Sequence, residues 1–267
     1  MGIWKKTNYT TESKLVLSSI YEYDIRKANI SILLKHGAIS QEMYSEFLNM
    51  NKKERQIKIG VMQKNDPLLK KVLEEGFEEA RMLLITSNSI TKEEIISIKK
   101  DAIFVTRQLQ VTSFGPVEFV LKNRYDMFLK TEYPKLEFYY GIVSEEEQDL
   151  DVKGIKDEAL PIHCDTWMTF LCQLFGYVVN GQIREAMIYL SSISKDYVNR
   201  SLPLEFYREF NSISHFRIMA TFMSEFTIDR ADESCRPLLN IDYNLNLLMN
   251  LNRIISELYM TSRRGGL

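Results

Sequence analysis

Two aspartates are the residues of this chain whose type and setting could do chemistry. Asp24 lies in Tyr23-Asp24-Ile25-Arg26-Lys27-Ala28-Asn29-Ile30-Ser31-Ile32-Leu33, and Asp101 in Ser97-Ile98-Lys99-Lys100-Asp101-Ala102-Ile103-Phe104-Val105. Ordinarily an aspartate beside a strand is a cap or turn residue. On neighbouring strands, however, the pair could share a divalent ion, because Mg²⁺ takes one or two carboxylates and completes its shell with water and phosphate oxygens. Carboxylates arranged in this way serve nucleotidyl transfer, where ions hold the attacking and leaving oxygens.

The elements needed to position them are legible. Ser18 to Ile25 mixes β-branched, aromatic and apolar residues and predicts a strand. Ala28 to His36 carries apolar residues at helical spacing and stops at Gly37, a residue suited to the left-handed turn after a helix. Asp24 therefore belongs where a strand hands over to a helix, beside backbone N–H groups that attract phosphate. Glu94 to Ile98 and Asp101 to Val105 predict a hairpin with Asp101 at its turn. Thr91 and Glu94 form a capping-box pattern just before it.

Asp24 to Leu33, continued by Lys35-His36-Gly37-Ala38-Ile39-Ser40, resembles the first palm motif of family B DNA polymerases. Asp101-Ala102-Ile103-Phe104-Val105 resembles the end of the palm's Asp-Thr-Asp-Ser hairpin. The resemblance covers about residues 15 to 110. It implies that Asp24 and Asp101 are metal ligands and catalytic residues, that Mg²⁺ is the cofactor, and that nucleic acid or nucleotide is the partner. The chain departs from the family at Lys27, Ala28, Asn29 and Ile30, where Ser, Leu, Tyr and Pro are expected. Lys99 replaces the first Asp of the hairpin, and no Lys-x-x-x-Asn-Ser-x-Tyr-Gly segment lies between the motifs. Those departures remove the family's residues for sugar selection and triphosphate binding. Ammonium groups at Lys99 and Lys100 would repel a cation at Asp101, although they could hold a phosphate backbone.

Between the motifs, Ser40 is a cap for a helix over Gln41 to Asn49, and Asp66-Pro67 starts a helix running to about Thr86. This helical stretch has the position of polymerase fingers. Its Arg55, Lys58, Lys64 and Arg81, with Lys27, Lys99 and Lys100, are the candidates for phosphate or nucleic-acid contact; the alternative for each is a solvated helix face. Val117 to Lys122, Asp126 to Lys130 and Lys135 to Tyr140 alternate as strands do, with a turn at Asn123-Arg124. Tyr125, Tyr133, Phe138, Tyr139 and Tyr140 could stack bases or line a core.

The expected class is α+β: a mostly antiparallel palm-like sheet with packed helices, followed by a helical C-terminal region. Residues 1–143 would form the palm-like domain with a finger-like insertion over 41–87. The acidic stretch 144–159 would be a linker, and 160–267 helical, with helices over Asp165 to Val179, Gln182 to Ser192, Leu204 to Ser224 and Tyr243 to Met260. A chain of 267 residues, 45% hydrophobic and 26% charged, has the composition of a globular protein. Its net charge of −2 lacks the basic footprint of a strong non-specific nucleic-acid binder. The cysteines, Cys164, Cys172 and Cys235, have no paired spacing, which excludes a disulfide framework and suits a reducing compartment. No apolar run is long enough for a membrane span, and a cytoplasmic location is expected. The abundance of Lys, Ile, Asn and Tyr suits an AT-rich genome such as many viruses have. Two functions follow as expectations: a divergent polymerase-like nucleotidyltransferase, or a non-catalytic viral scaffold that binds protein or nucleic-acid partners. A nuclease is a third.

Overall fold

The structure, a computed structural model, describes residues 2–144, 147–213 and 241–263. It is α+β and divides into two units. The first comprises residues 1–12 and 19–124, the second 13–18 and 125–267.

In the first unit the chain forms β1 (Asn8–Thr10), β2 (Leu15–Ile25), α1 (Ala28–Lys35), α2 (Gln41–Asn49), α3 (Lys52–Asn65), α4 (Pro67–Ser87), β3 (Ile95–Lys99), β4 (Ala102–Val105), β5 (Ser113–Phe114) and β6 (Val117–Lys130). Both β2 and β6 contribute residues to each unit. Strand order in this unit is β1-β3-β4-β2, with antiparallel pairing of β1 with β3, β3 with β4 and β4 with β2. The expected hairpin is therefore present, and so are the strand before Asp24 and the helix after it.

The helices form where the local chemistry starts them. Ser40 Oγ accepts from the Met43 amide, and Asp66 Oδ1 from Leu68 N ahead of Pro67. Asn51 and Glu54 close a capping box at the start of α3. Gly37, at φ 65°, ends α1 in the left-handed region. Alternate residues of β2 and β4, including Tyr23, Ile25, Ile103 and Val105, join Ile32 and Leu33 of α1 and Phe77, Ala80 and Leu84 of α4 in one apolar core. Glycine is required at position 76, because a Cβ there would lie 2.2 Å from Ile32 Cγ2. This close approach of α4 sets the position of α1 and with it the β2–α1 junction.

The second unit holds β7 (Glu137–Ile142), β8 (Gln148–Lys153), α5 (Ala159–Ile162), a π-helical turn (Cys164–Met168), α6 (Thr169–Val179), α7 (Ile183–Val198) and α8 (Ile241–Arg263). Phe138 and Tyr140 of β7 share a core with Trp167, with Leu171 and Leu174 of α6, and with Leu190 and Leu251 of α7 and α8. Asn244, fully buried on α8, donates to the carbonyls of Phe206 and Arg208 and accepts from Phe210 N, so it pins the 204–210 loop.

Several expectations need correction. Asn123-Arg124 is no turn: β6 is continuous, because Asn123 donates to Glu22 Oε2 at 2.9 Å and Arg124 to Ser19 Oγ at 3.0 Å on β2, within the sheet. The acidic stretch 144–159 contains β8, whose charged residues suit an edge strand that must resist further pairing. The two compact units divide after Arg124. Tyr125, Phe138, Tyr139 and Tyr140 are buried and packed together with core residues, so they present no face to a base. Within Leu204 to Ser224, Leu204–Tyr207 is a short 3₁₀ turn; the rest of that stretch from 214 onward, and Cys235, lie outside the described residues.

Candidate functional site

The β2–β4 register sets Asp24 opposite Ala102, and the Ile25 amide donates to the Asp101 carbonyl at 3.1 Å. Asp24 thus stands on β2 and Asp101 in the β3–β4 turn just before β4, one residue out of register. Asp24 Oδ1 is buried and has no hydrogen-bond partner. Burial raises the Asp24 carboxyl above its ordinary value, and the Asp101 and Glu22 charges raise it further; Lys122 and the Ile25 backbone act in the opposite direction. Glu22, two residues earlier on the same face of β2, differs. Its buried carboxylate accepts from Lys122 Nζ at 3.2 Å and Asn123 Nδ2 at 2.9 Å, so its charge is answered inside the fold.

Helix α1 begins beside this pair. Lys27 adopts φ 50° and ψ 42° at its N-cap, an uncommon conformation for a residue with a Cβ. Ser31 Oγ donates to the Arg26 carbonyl at 3.0 Å and fixes the junction. The first turn of α1 lines a cavity of about 250 Å³ together with Asp24, Asp101 and Lys27. The opposite wall is α3. Lys52, Arg55, Gln56 and Ile59 recur at the i, i+3, i+4, i+7 spacing of one helix face and line the same cavity. Arg55 Nη1 donates to the Met50 carbonyl at 2.6 Å, which holds its guanidinium near the start of α3. Two carboxylates, three cationic side chains and a helix N-terminus therefore share one cavity, an arrangement suited to an anion that arrives with a cation.

Of the candidate residues, the structure brings together Asp24, Asp101, Lys27 and Arg55. The others lie elsewhere. Arg81 is a correction: it is 1% exposed, with Nε donating to the Trp4 carbonyl and Nη1 to the Lys100 carbonyl. An apolar helix face carried it inward, where the two carbonyls hold Nε and Nη1 while Nη2 is buried without a hydrogen-bond partner. Lys99 reaches Asn8 and Thr10 of β1, while Lys100 lies over the Phe77 ring. Lys58 pairs with Glu46 at 3.4 Å and covers Phe47, and Lys64 is exposed near the end of α3. Sequence reasoning missed Lys52 and Gln56. The signal was available: a capping box at Asn51 and Glu54 starts the helix, and its period puts both on the face of Arg55.

Among the described residues, no three His, Cys, Asp or Glu side chains group as a metal centre, and no helix is long and apolar enough to cross a membrane. His163 of the His163-Cys164-Asp165 run is buried against Phe210, with ring centroids 5.3 Å apart.

Fold and cavity together define an α+β protein with a paired-carboxylate, cation-lined cavity at the end of an antiparallel sheet. The chain belongs to the bacteriophage PBS1 gene 130 protein family, whose model matches residues 1–257. Membership of a phage family agrees with the viral origin that the composition suggests. No curated protein matches the chain.

Proposed function

We propose that this phage protein binds the phosphates of a nucleotide or nucleic acid at Asp24 and Asp101, in a palm-like unit, for metal-assisted nucleotidyl transfer. One observation carries the reading: Asp24 Oδ1, buried and without a hydrogen-bond partner, adjoins Asp101 in a cavity that also holds Lys27, Lys52 and Arg55. A buried carboxylate oxygen left without a donor is costly unless something answers its charge. Neighbouring Asp101 increases that cost, so the donor set suits a hard divalent ion, which accepts oxygen ligands alone.

Asp24 and Asp101 would hold Mg²⁺, which when bound supplies charge neutralisation at the phosphoryl group and its leaving oxygen. Lys27, Lys52 and Arg55 would orient the phosphates and balance their charge. The start of α1 would direct backbone N–H groups at the same anion. Positioning and electrostatics are most of what phosphoryl transfer asks of a protein.

A second reading, nucleotide binding without turnover, is favoured by Lys99, which stands where the resemblance expects a further carboxylate and directs its ammonium at β1. Titration of dATP with Mg²⁺ into wild type and Asp24→Asn, followed by pyrophosphate release on a primed template, tests both. Metal-dependent binding and release, each lost in Asp24→Asn, supports transfer. Binding without release supports the second reading, and metal-independent dATP binding equal in both proteins overturns the site.

A further inference from the structure

The second unit contains a cleft of about 520 Å³ in which one long wall is α6 and the preceding π-helical turn. It lies within the volume range of small-molecule sites. Its polar groups are unusually uniform. Gln148, Gln173, Asn180 and Gln182 line it, and among the described residues none that lines it is charged. Carboxamides offer a donor and an acceptor side by side, the pattern that reads a nucleobase edge, and they give a phosphate or a free ion no counter-charge.

The rest of the wall is soft. Met168 and Cys172, spaced i, i+4, line the cleft with Tyr177. Thioethers pack well against aromatic faces, and aromatic side chains stack on bases of any sequence. A polyol has no flat face for such a wall. Burial pushes the Cys172 thiol up, so it stays a neutral packing group. Beneath the cleft lies an unanswered donor: the Tyr140 hydroxyl is fully buried and without a partner, 3.1 Å from where a Cβ on the lining residue Gly176 would stand. The glycine leaves that hydroxyl uncovered by any side chain of its own position. The π-helical turn widens the helix at Cys164–Met168, a deviation found often at functional sites.

We propose that this cleft is a second binding site, distinct from the Asp24 cavity, which takes a neutral, flat, hydrogen-bonding ring of the nucleobase type. The ring would lie on Met168 and Tyr177 with its edge toward the carboxamides. The proposal rests on the lining of the cleft alone and stands whether or not the Asp24 site binds nucleotide. The base could belong to a free nucleoside or to a single strand, and the two sources are separable.

The test is NMR of the full chain with ¹³C-methyl methionine, the Met168 signal being assigned through Met168→Leu. Adenosine, guanosine, cytidine and thymidine, which carry no phosphate, are titrated separately, then a mixed-sequence single-stranded oligonucleotide, then glucose. A saturable upfield shift of the Met168 methyl is expected, weakened about tenfold or more in Gln173→Leu and in Asn180→Leu and retained in Asp24→Asn. Saturation by a nucleoside identifies a free ligand, and saturation by the oligonucleotide alone identifies a strand base. No shift with any of these, an equal shift with glucose, or unweakened binding in both carboxamide variants overturns the proposal. Because Gln173 and Asn180 are exposed, neither substitution threatens the fold.

Discussion

Asp24 lies near the end of β2 opposite Ala102, and Asp101 lies in the β3–β4 turn with its carbonyl accepting from the Ile25 amide; Asp24 Oδ1 has no hydrogen-bond donor although it is buried. Two like charges placed this way oppose each other and the fold that holds them. The first unit therefore carries an unfavourable repulsion that neutralising either carboxyl would remove.

The sign of the pH dependence follows. Burial, then the charge of Asp101, holds the folded Asp24 carboxyl above its ordinary value of 3.8. The folded state keeps its proton to higher pH than the unfolded state, so stability falls as pH rises through that window and stays lower above it. Asp24→Asn is expected to melt higher than wild type at pH 7. With solvent screening the gain is about 1 kcal/mol or less, or roughly 2–4 °C for a chain of this size. The difference should vanish below about pH 4. Thermal melts at both pH values check it, and a variant that melts lower at pH 7 contradicts it.

Lys52 and Lys53 are neighbours in sequence, yet only Lys52 lines the cavity. Lys52→Ala is expected to weaken binding of dATP with Mg²⁺ by about tenfold, with Lys53→Ala close to wild type. Calorimetry on both variants separates a placed cation from general basic charge, which would be lowered equally by either.

Gly76→Ala tests how α1 is positioned. The added methyl meets Ile32 at 2.2 Å, and overpacking of this kind costs about 1–3 kcal/mol, against at most ~1 kcal/mol gained from helix propensity. A net loss is expected in urea unfolding, together with weaker nucleotide binding, since Ile32 lies on the helix whose first turn lines the site. Unchanged stability would mean that α4 does not set the position of α1.

His163 gives the second unit an acid sensitivity. Burial, then the Arg208 charge, lowers its imidazole from 6.5 to about 4. The unfolded chain binds that proton first, so stability present at pH 7 is lost as pH falls from about 6.5 toward 4, by ~3 kcal/mol at most. His163→Gln should flatten the dependence of the urea midpoint over that window. An equally steep profile in the variant would assign the acid sensitivity to other groups.

How much of this was legible in the sequence depends on the range of the interactions involved. Strand β2, helix α1, helix α2, the Asp66–Pro67 start of α4 and the β3–β4 hairpin follow from local periodicity, caps and Gly37, and they appear where expected. With them came the placement of Asp24 at a strand–helix junction and Asp101 at a turn. What failed was non-local. Asn123-Arg124 looks like a turn until Glu22 and Ser19 are seen to satisfy both side chains across the sheet. The acidic run before Lys153 becomes an edge strand because β7 supplies its partners. Arg81 looks solvated until the carbonyls of Trp4 and Lys100, far away in sequence, are found on its guanidinium. Lys52 and Gln56 were locally legible through the Asn51–Glu54 capping box; what the sequence does not show is that the α3 face bearing them lines the Asp24 cavity.

The most direct test of the paired-carboxylate site is Mn²⁺ uptake followed by electron paramagnetic resonance, with and without dATP, in wild type and in the Asp24→Asn, Asp101→Asn double variant. Wild type is expected to bind Mn²⁺, more tightly when dATP is present, and the double variant to leave the free-ion signal unchanged. Equal uptake by the two proteins, or none by wild type even with dATP, would contradict the account.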